Sequence, residues 1–165
     1  MNGLLRGAVL LLPGLLLAAC SSSDGSRGAG PSPAAGSSAT AVLARHYLAL
    51  AEPANHVLDE SFDALDDHAG ELAEAAGLLR TIAKTERGFD RGLLALALPA
   101  PMQAIAARLV RVNEVRADLT SDAARAGTAA ELRRDVVDLD AMNVSVEVQV
   151  RALRTSLGLP PPDTD

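Results

Sequence analysis

The sequence predicts an all-α domain, an antiparallel up-down four-helix bundle, on three observations. No run alternates apolar and polar side chains as a half-buried strand does. Three long stretches place apolar residues at alternating steps of three and four, the spacing that lines one helix face. Breaks rich in proline or glycine separate those stretches.

The first predicted helix runs from Ala41 to about Asp66 and has the loosest pattern: Leu43, Tyr47, Leu50, Ala54, Val57 and Leu58, Phe62, Leu65. Pro53 lies inside it. An interior proline removes a backbone donor and crowds the preceding turn, which predicts a kink or a split near Ala49 and Leu50. Asp66 to Gly70 reads either as a turn or as a stretch through which the first two helices run on as one.

The second helix carries Leu72, Ala75, Leu79, Ile82, Glu86, Phe89, Leu93 and Leu96. Leu98-Pro99-Ala100-Pro101 ends it and opens the next, because proline suits a first helical turn and not an interior. The third ladder is Met102, Ile105, Leu109, Val112, Arg116, Leu119, Ala123 and Ala126. Gly127 is expected to take the left-handed conformation after that helix, and Thr128 with Glu131 forms a capping box. The fourth ladder is Leu132, Val136, Leu139, Asn143, Val146, Val150, Leu153 and Leu157, stopped by Gly158 and three prolines from Pro160. Helices of about 25 residues are roughly 37 Å long, and short connections favour antiparallel neighbours. The domain is expected over 41–159, at about 119 residues large enough to fold alone, with a proline-rich tail at 160–165.

What precedes the domain has a different composition. Ser21 to Thr40 is serine, glycine, alanine and proline with almost no bulky side chain. Such a segment cannot bury enough apolar surface to offset its ordering entropy, so it is expected to be a disordered tether, with a reach on the order of 25 Å. Met1 to Ala19 has the layout of an export signal: a short amino end with Arg6, an apolar core from Ala8 to Leu17, then small residues. That core is shorter than the ~20 residues a membrane-spanning helix needs.

Leu17-Ala18-Ala19-Cys20 resembles the lipobox of bacterial lipoproteins. The resemblance implies cleavage before Cys20 and a diacylglyceryl group on its thiol. Each buried methylene contributes about 0.8 kcal/mol, and two acyl chains hold firmly where one holds marginally. Ser21, where an Asp is absent, resembles the outer-membrane sorting pattern for cells that have an outer membrane. The order of lipobox, tether, Ala-rich helices, Leu-Pro-Ala-Pro turn and Leu-Gly-Leu-Pro-Pro-Pro end is similar to helical lipoproteins of actinobacteria. That resemblance implies no catalytic residue. Cys20 is the single cysteine, so no intramolecular disulfide can form.

Composition narrows the function classes. The 165 residues carry a formal net charge of −6. Without Arg6 the chain beyond the signal has 14 basic against 21 acidic residues, a surface that repels phosphate backbones. Two phenylalanines, one tyrosine and no tryptophan supply few stacking faces for sugars or single strands. No nucleic-acid partner is expected.

Two groups of side chains are site candidates. Glu86, Arg116 and Asn143 occupy apolar ladder positions. Folding the helices back at their turns places them with Asn113 in one mid-bundle zone, where Arg116 can offer Glu86 a two-pronged partner. Such a zone is a polar layer that sets helix register, as a buried Asn does in coiled coils, or the lining of a small-molecule pocket; with the ladder offset, Glu86 or Arg116 instead reaches solvent. The second group is His56 with Glu52, Asp59, Glu60 and Asp63, residue types that can ligate a divalent metal but equally form a solvated acidic face. No Glu-x-x-His, His-Glu-x-x-His or haem-attachment motif occurs, and no serine sits in a nucleophile motif. Gly88 and Gly92, four apart on one helix, each cost about 1 kcal/mol relative to alanine, which predicts a close neighbour there.

The expected function is a lipid-anchored, extracytoplasmic, non-catalytic binding module. It is held to the membrane through Cys20 and engages an envelope protein or a small ligand. No cofactor, metal ligand or catalytic residue is assigned. The alternative is a metal-binding or redox-accessory bundle that uses His56 and its carboxylates.

Overall fold

The computed structural model describes residues 34–162 apart from residue 69. Four helices and no strand occur among them: α1 (Ala34–Asp67), α2 (Leu72–Ala95), α3 (Ala100–Ala123) and α4 (Ala129–Ser156). The fold is an all-α four-helix bundle in which α1 packs on α2, α2 on α3, and α3 on α4. The signal segment at 1–19, the lipidation position Cys20, the tether as far as 33 and the last three residues of the tail lie outside the described residues.

One expectation about α1 is corrected and another is narrowed. The helix begins at Ala34, inside the segment assigned to the tether. Pro33 is the last proline before it, and alanines with the strongest helix propensity follow. Of the two outcomes expected at Pro53, a kink or a split, the split does not occur, since the proline lies within one unbroken element. The proline is exposed, while Ala44, Tyr47 and Ala51 before it and Ser61 and Leu65 after it are buried. Packing on both sides holds together a helix that lacks one backbone bond.

The turns show how local chemistry ends each helix. At the first boundary His68 N–H donates to Ala64 O (3.0 Å) and Glu71 N–H to His68 O (2.8 Å), so α1 and α2 are separate. Pro99 is extended and caps α3, with Pro101 in its first turn, as the sequence predicts. Gly127 is not left-handed; Gly158 is the described glycine with positive φ, at 69°. The chain leaving α3 satisfies its carbonyls with tight turns, Arg125 N–H to Asp122 O and Ala126 N–H to Ala123 O, and does not need a left-handed residue. Thr128 Oγ1 accepts from Glu131 N–H (3.2 Å), and the Glu131 carboxylate accepts from Gly127 N–H (2.9 Å), a box shifted by one residue. At the end of α4, Leu159 N–H reaches Arg154 O and Gly158 N–H reaches Thr155 O, the Schellman pattern.

Two apolar clusters fill the interior. One joins Tyr47 and Ala51 of α1, Leu93 of α2, Leu109 of α3 and Val150 and Leu153 of α4. The other joins Leu65 of α1, Leu79 and Ile82 of α2, Ala123 of α3 and Leu132 and Leu139 of α4. Every ladder position on α2, α3 and α4 is buried or half-buried. A flanking stripe of Ala83, Ala106, Val110 and Ala117 is buried as well. The buried arc is wider than a two-position seam because a bundle helix has neighbours on both sides. Gly92 explains one close approach: a methyl there would run into Leu50 Cδ1 of α1. Gly88 has only Arg91 nearby, at 3.9 Å, and marks no such contact.

Candidate functional site: a polar layer and its cavity

Between the two clusters α2 and α3 turn polar side chains inward. Glu86 is 1% exposed, Asp90 4%, Asn113 5%, Arg116 8% and Thr120 0%. The residues pair in opposite chain directions. Arg116 Nη1 stands 2.9 Å from Glu86 Oε1. Asn113 Nδ2 donates to Asp90 Oδ1 (3.0 Å) and, at longer range, to Glu86 O (3.4 Å). Thr120 Oγ1 donates to Arg116 O, one turn back on its own helix. The Arg116 guanidinium also lies 5.4 Å from the centre of the Phe62 ring, a cation–π contact. Outside the layer, Arg87 extends the same seam by donating to Ser121 Oγ, Asp118 Oδ1 and Ala117 O.

Burial dominates the electrostatics. It pushes the Glu86 carboxyl up to about 7; Arg116 pulls it back and Asp90 adds to the rise. Burial likewise raises Asp90 to about 6, opposed by the Asn113 hydrogen bond. Tyr47, buried on α1, is pushed up to about 12 and stays a neutral phenol.

The layer is not fully satisfied. Neither Glu86 carboxylate oxygen has a directed hydrogen-bond donor, although Arg116 Nη1 stands 2.9 Å from Oε1 and the Thr120 side chain acts to lower the carboxyl's pKa. Arg116 Nε, Tyr47 Oη and Asn55 Nδ2 lack a hydrogen-bond partner as well. These four residues line one mid-bundle cavity of about 60 Å³, to which Phe89, Leu109, Asn113, Val146 and Val150 also contribute walls. All four helices reach it. Unpaired buried polar atoms normally cost about 1–3 kcal/mol each, so several of them gathered at one void mark a place where something else completes the bonding.

Of the sequence-predicted zone, Glu86, Asn113 and Arg116 come together and Asn143 does not. Asn143 is half-buried and donates to Asp140 Oδ1 (3.1 Å) on its own helix. The turn count places α4 at the wrong level: Val146 and Val150, a turn or two further on, are the α4 residues that face the cavity. Sequence reasoning missed Asp90 and Thr120, although each sits four residues after a predicted member on the same helix face. It also missed Tyr47 and Asn55. Tyr47 reads as an apolar ladder residue, and Asn55 belongs to no ladder.

His56 is exposed, with Nε2 3.4 Å from Glu60 Oε1 across one helical turn. Asp59 nearby is raised by partial burial and by Asp63. Among the described residues no group of three histidine, cysteine or carboxylate side chains is placed to hold a metal. Of the residues proposed for a metal, His56 and Glu60 form a surface pair. None of the described helices is long and apolar enough to cross a membrane. Comparison with known family models, curated proteins and solved structures returns no match.

Proposed function

We propose that this chain is an extracytoplasmic lipoprotein, held at the membrane by a lipid on Cys20, whose helical bundle works as a non-catalytic binding module. The helices alternate in direction around the polar layer, an up-down order supported by the make-up of the two clusters: each unites the first part of one helix with the last part of the next. The lipobox-like Leu17 to Cys20 supports the anchor. One observation carries the binding role: Tyr47, Asn55, Glu86 and Arg116, each with a polar atom that has no hydrogen-bond partner, line one cavity reached by all four helices. A bundle that only spaces other components apart is stabler with an apolar centre, since replacing buried charge by well-packed hydrophobes is often neutral or stabilising. The ligand is a small molecule held at that cavity, or an envelope protein on the outer surface of the bundle.

Two measurements test this. Expressed in a bacterial host, the chain is expected in the detergent phase with a mature amino terminus at Cys20 carrying acyl mass, and the Cys20→Ala variant is expected in the aqueous phase. A small-molecule library observed by NMR is expected to give hits that shift cavity residues and are lost in Glu86→Leu. An unacylated, uncleaved product removes the anchor, and a library without cavity hits removes the small-ligand role.

A further inference from the structure

We propose that the outward face of α4 pairs with the same face of a second copy of this chain, the two helices running antiparallel. The inference goes beyond the binding-module reading and depends neither on the cavity nor on the anchor at Cys20. α4 carries two apolar ladders. The inner one fills the core with Leu132, Leu139, Val146, Val150 and Leu153. The outer one is Val137, Ala141, Val144, Val148 and Ala152, again at helical spacing. It stands on the side of the helix opposite the core residues, where the rest of the bundle does not reach. Val137, Val144 and Val148 are each more than half exposed. Among the described residues the other large apolar side chains so exposed are Leu94 and Val115, which stand singly on α2 and α3. Valines on a water-facing stripe run against helix propensity, which favours unbranched side chains there. An apolar stripe rimmed by charge marks a contact surface. Beside Val144 and Val148 it continues as a groove onto α3 at Ile105.

The order of charges along the stripe selects the occupant. Asp140 and Arg151 are eleven residues apart, close to three whole turns, so both lie on one flank of the ladder, to either side of Val144 and Val148. Both are exposed, and Arg151 has no ion-pair partner among the described residues. An antiparallel copy lays the acidic end of this flank against the basic end of its own. With Val144 level with Val148 of the copy and Ala141 level with Ala152, Asp140 comes level with Arg151, and the two-fold axis makes that pair twice. Glu147, on the same flank, falls level with Ser145 of the copy. A parallel copy would set the two Asp140 carboxylates side by side. Such self-complementarity is what a two-fold interface requires of a single surface. Anionic lipid is a poorer occupant, because Asp138 and Asp140 border the valines and the chain carries a net charge of −6.

Sedimentation equilibrium of the full chain in density-matched detergent tests the proposal. We expect a concentration-dependent dimer. Val144→Glu, at an exposed position, should keep the helical circular dichroism of the parent and weaken the dimer by about tenfold or more, since it buries an unpaired charge in the contact. Asp140→Arg and Arg151→Asp, each alone, bring like charges together and should weaken it severalfold. Combining the two reversals should restore it. A chain that stays monomeric at every concentration overturns the proposal, as does a dimer indifferent to Val144→Glu. Single reversals that weaken the dimer without mutual rescue overturn the antiparallel pairing. A monomer whose Val144 resonance shifts on addition of phosphatidylglycerol vesicles assigns the face to lipid and overturns the second copy.

Discussion

The polar layer has two sides, and they differ. Where α2 meets α3, Asn113 bridges to Asp90 Oδ1, leaving Oδ2 as the one unpaired atom of that side among the described residues, and Arg87 reaches Ser121, Ala117 and Asp118. Where the same layer faces α1 and α4, Glu86, Arg116 Nε, Tyr47 and Asn55 leave polar atoms unpaired around a void. α4 gives that side Val146 and Val150, which can neither donate nor accept. The contrast separates two uses of a buried polar residue. A bonded seam sets the register of two helices; unpaired atoms at a cavity set what the cavity can hold.

The sharpest way to break the comparison is Glu86→Ala, which leaves the Arg116 charge buried without its partner. We expect a loss of about 3 kcal/mol in denaturant unfolding, and partial recovery when Arg116→Leu is added. A silent single variant would mean that the two sides are equally solvated.

Next in size is the pH response. Folded Glu86 holds its proton more tightly than the unfolded chain does, since its carboxyl moves from 4.5 to about 7. Its contribution to stability is therefore fully present below about 4.5 and is lost as pH rises through about 7. Asp90, raised to about 6, acts in the same direction. Stability should fall between pH 5 and pH 8 by an amount on the order of a few kcal/mol, read as a lower melting temperature at the higher pH. Glu86→Gln should flatten the slope without changing its sign, because Asp90 still titrates.

Asn113→Ala and Tyr47→Phe compare the sides directly. Loss of the Asn113 amide strands Asp90 and is expected to cost about 1–2 kcal/mol. The Tyr47 hydroxyl has no partner to lose, so Tyr47→Phe should leave thermal stability within about 0.5 kcal/mol of the parent. The smallest effects come from the glycines of α2. Gly88→Ala meets open space apart from Arg91 and should gain up to about 1 kcal/mol of helix propensity. Gly92→Ala must displace Leu50 and should gain less or lose, as chemical unfolding will report.

Much of the fold was legible in the chain. Ladder spacing reports which helix face is apolar, and the Pro99 and Gly158 boundaries follow from backbone constraints that act within a few residues. Start points were less legible. Ala34 to Thr40 has the composition of a tether, yet the helix of α1 extends through it. Of the site, Glu86 and Arg116 were recoverable because a charged side chain interrupts an apolar ladder, and Asn113 because folding α2 and α3 back at their turn brings it level with them. Asn143 interrupts one too, but its partner is Asp140 on the same helix. A ladder reports which face a residue occupies and carries no information on the level at which a third helix docks.

Local pattern alone gave the helical segments, their apolar faces, most of their ends and the inward placement of Glu86 and Arg116, because each follows from interactions within about one turn of the chain. Only the tertiary structure decided that α1 crosses Pro53 unbroken, that Val146 and not Asn143 stands at the layer, and that Tyr47 and Asn55 meet Glu86 and Arg116 at one cavity. Those outcomes depend on how far one packed helix slides along another. That displacement is set by the summed fit of many side chains, and no local pattern encodes it.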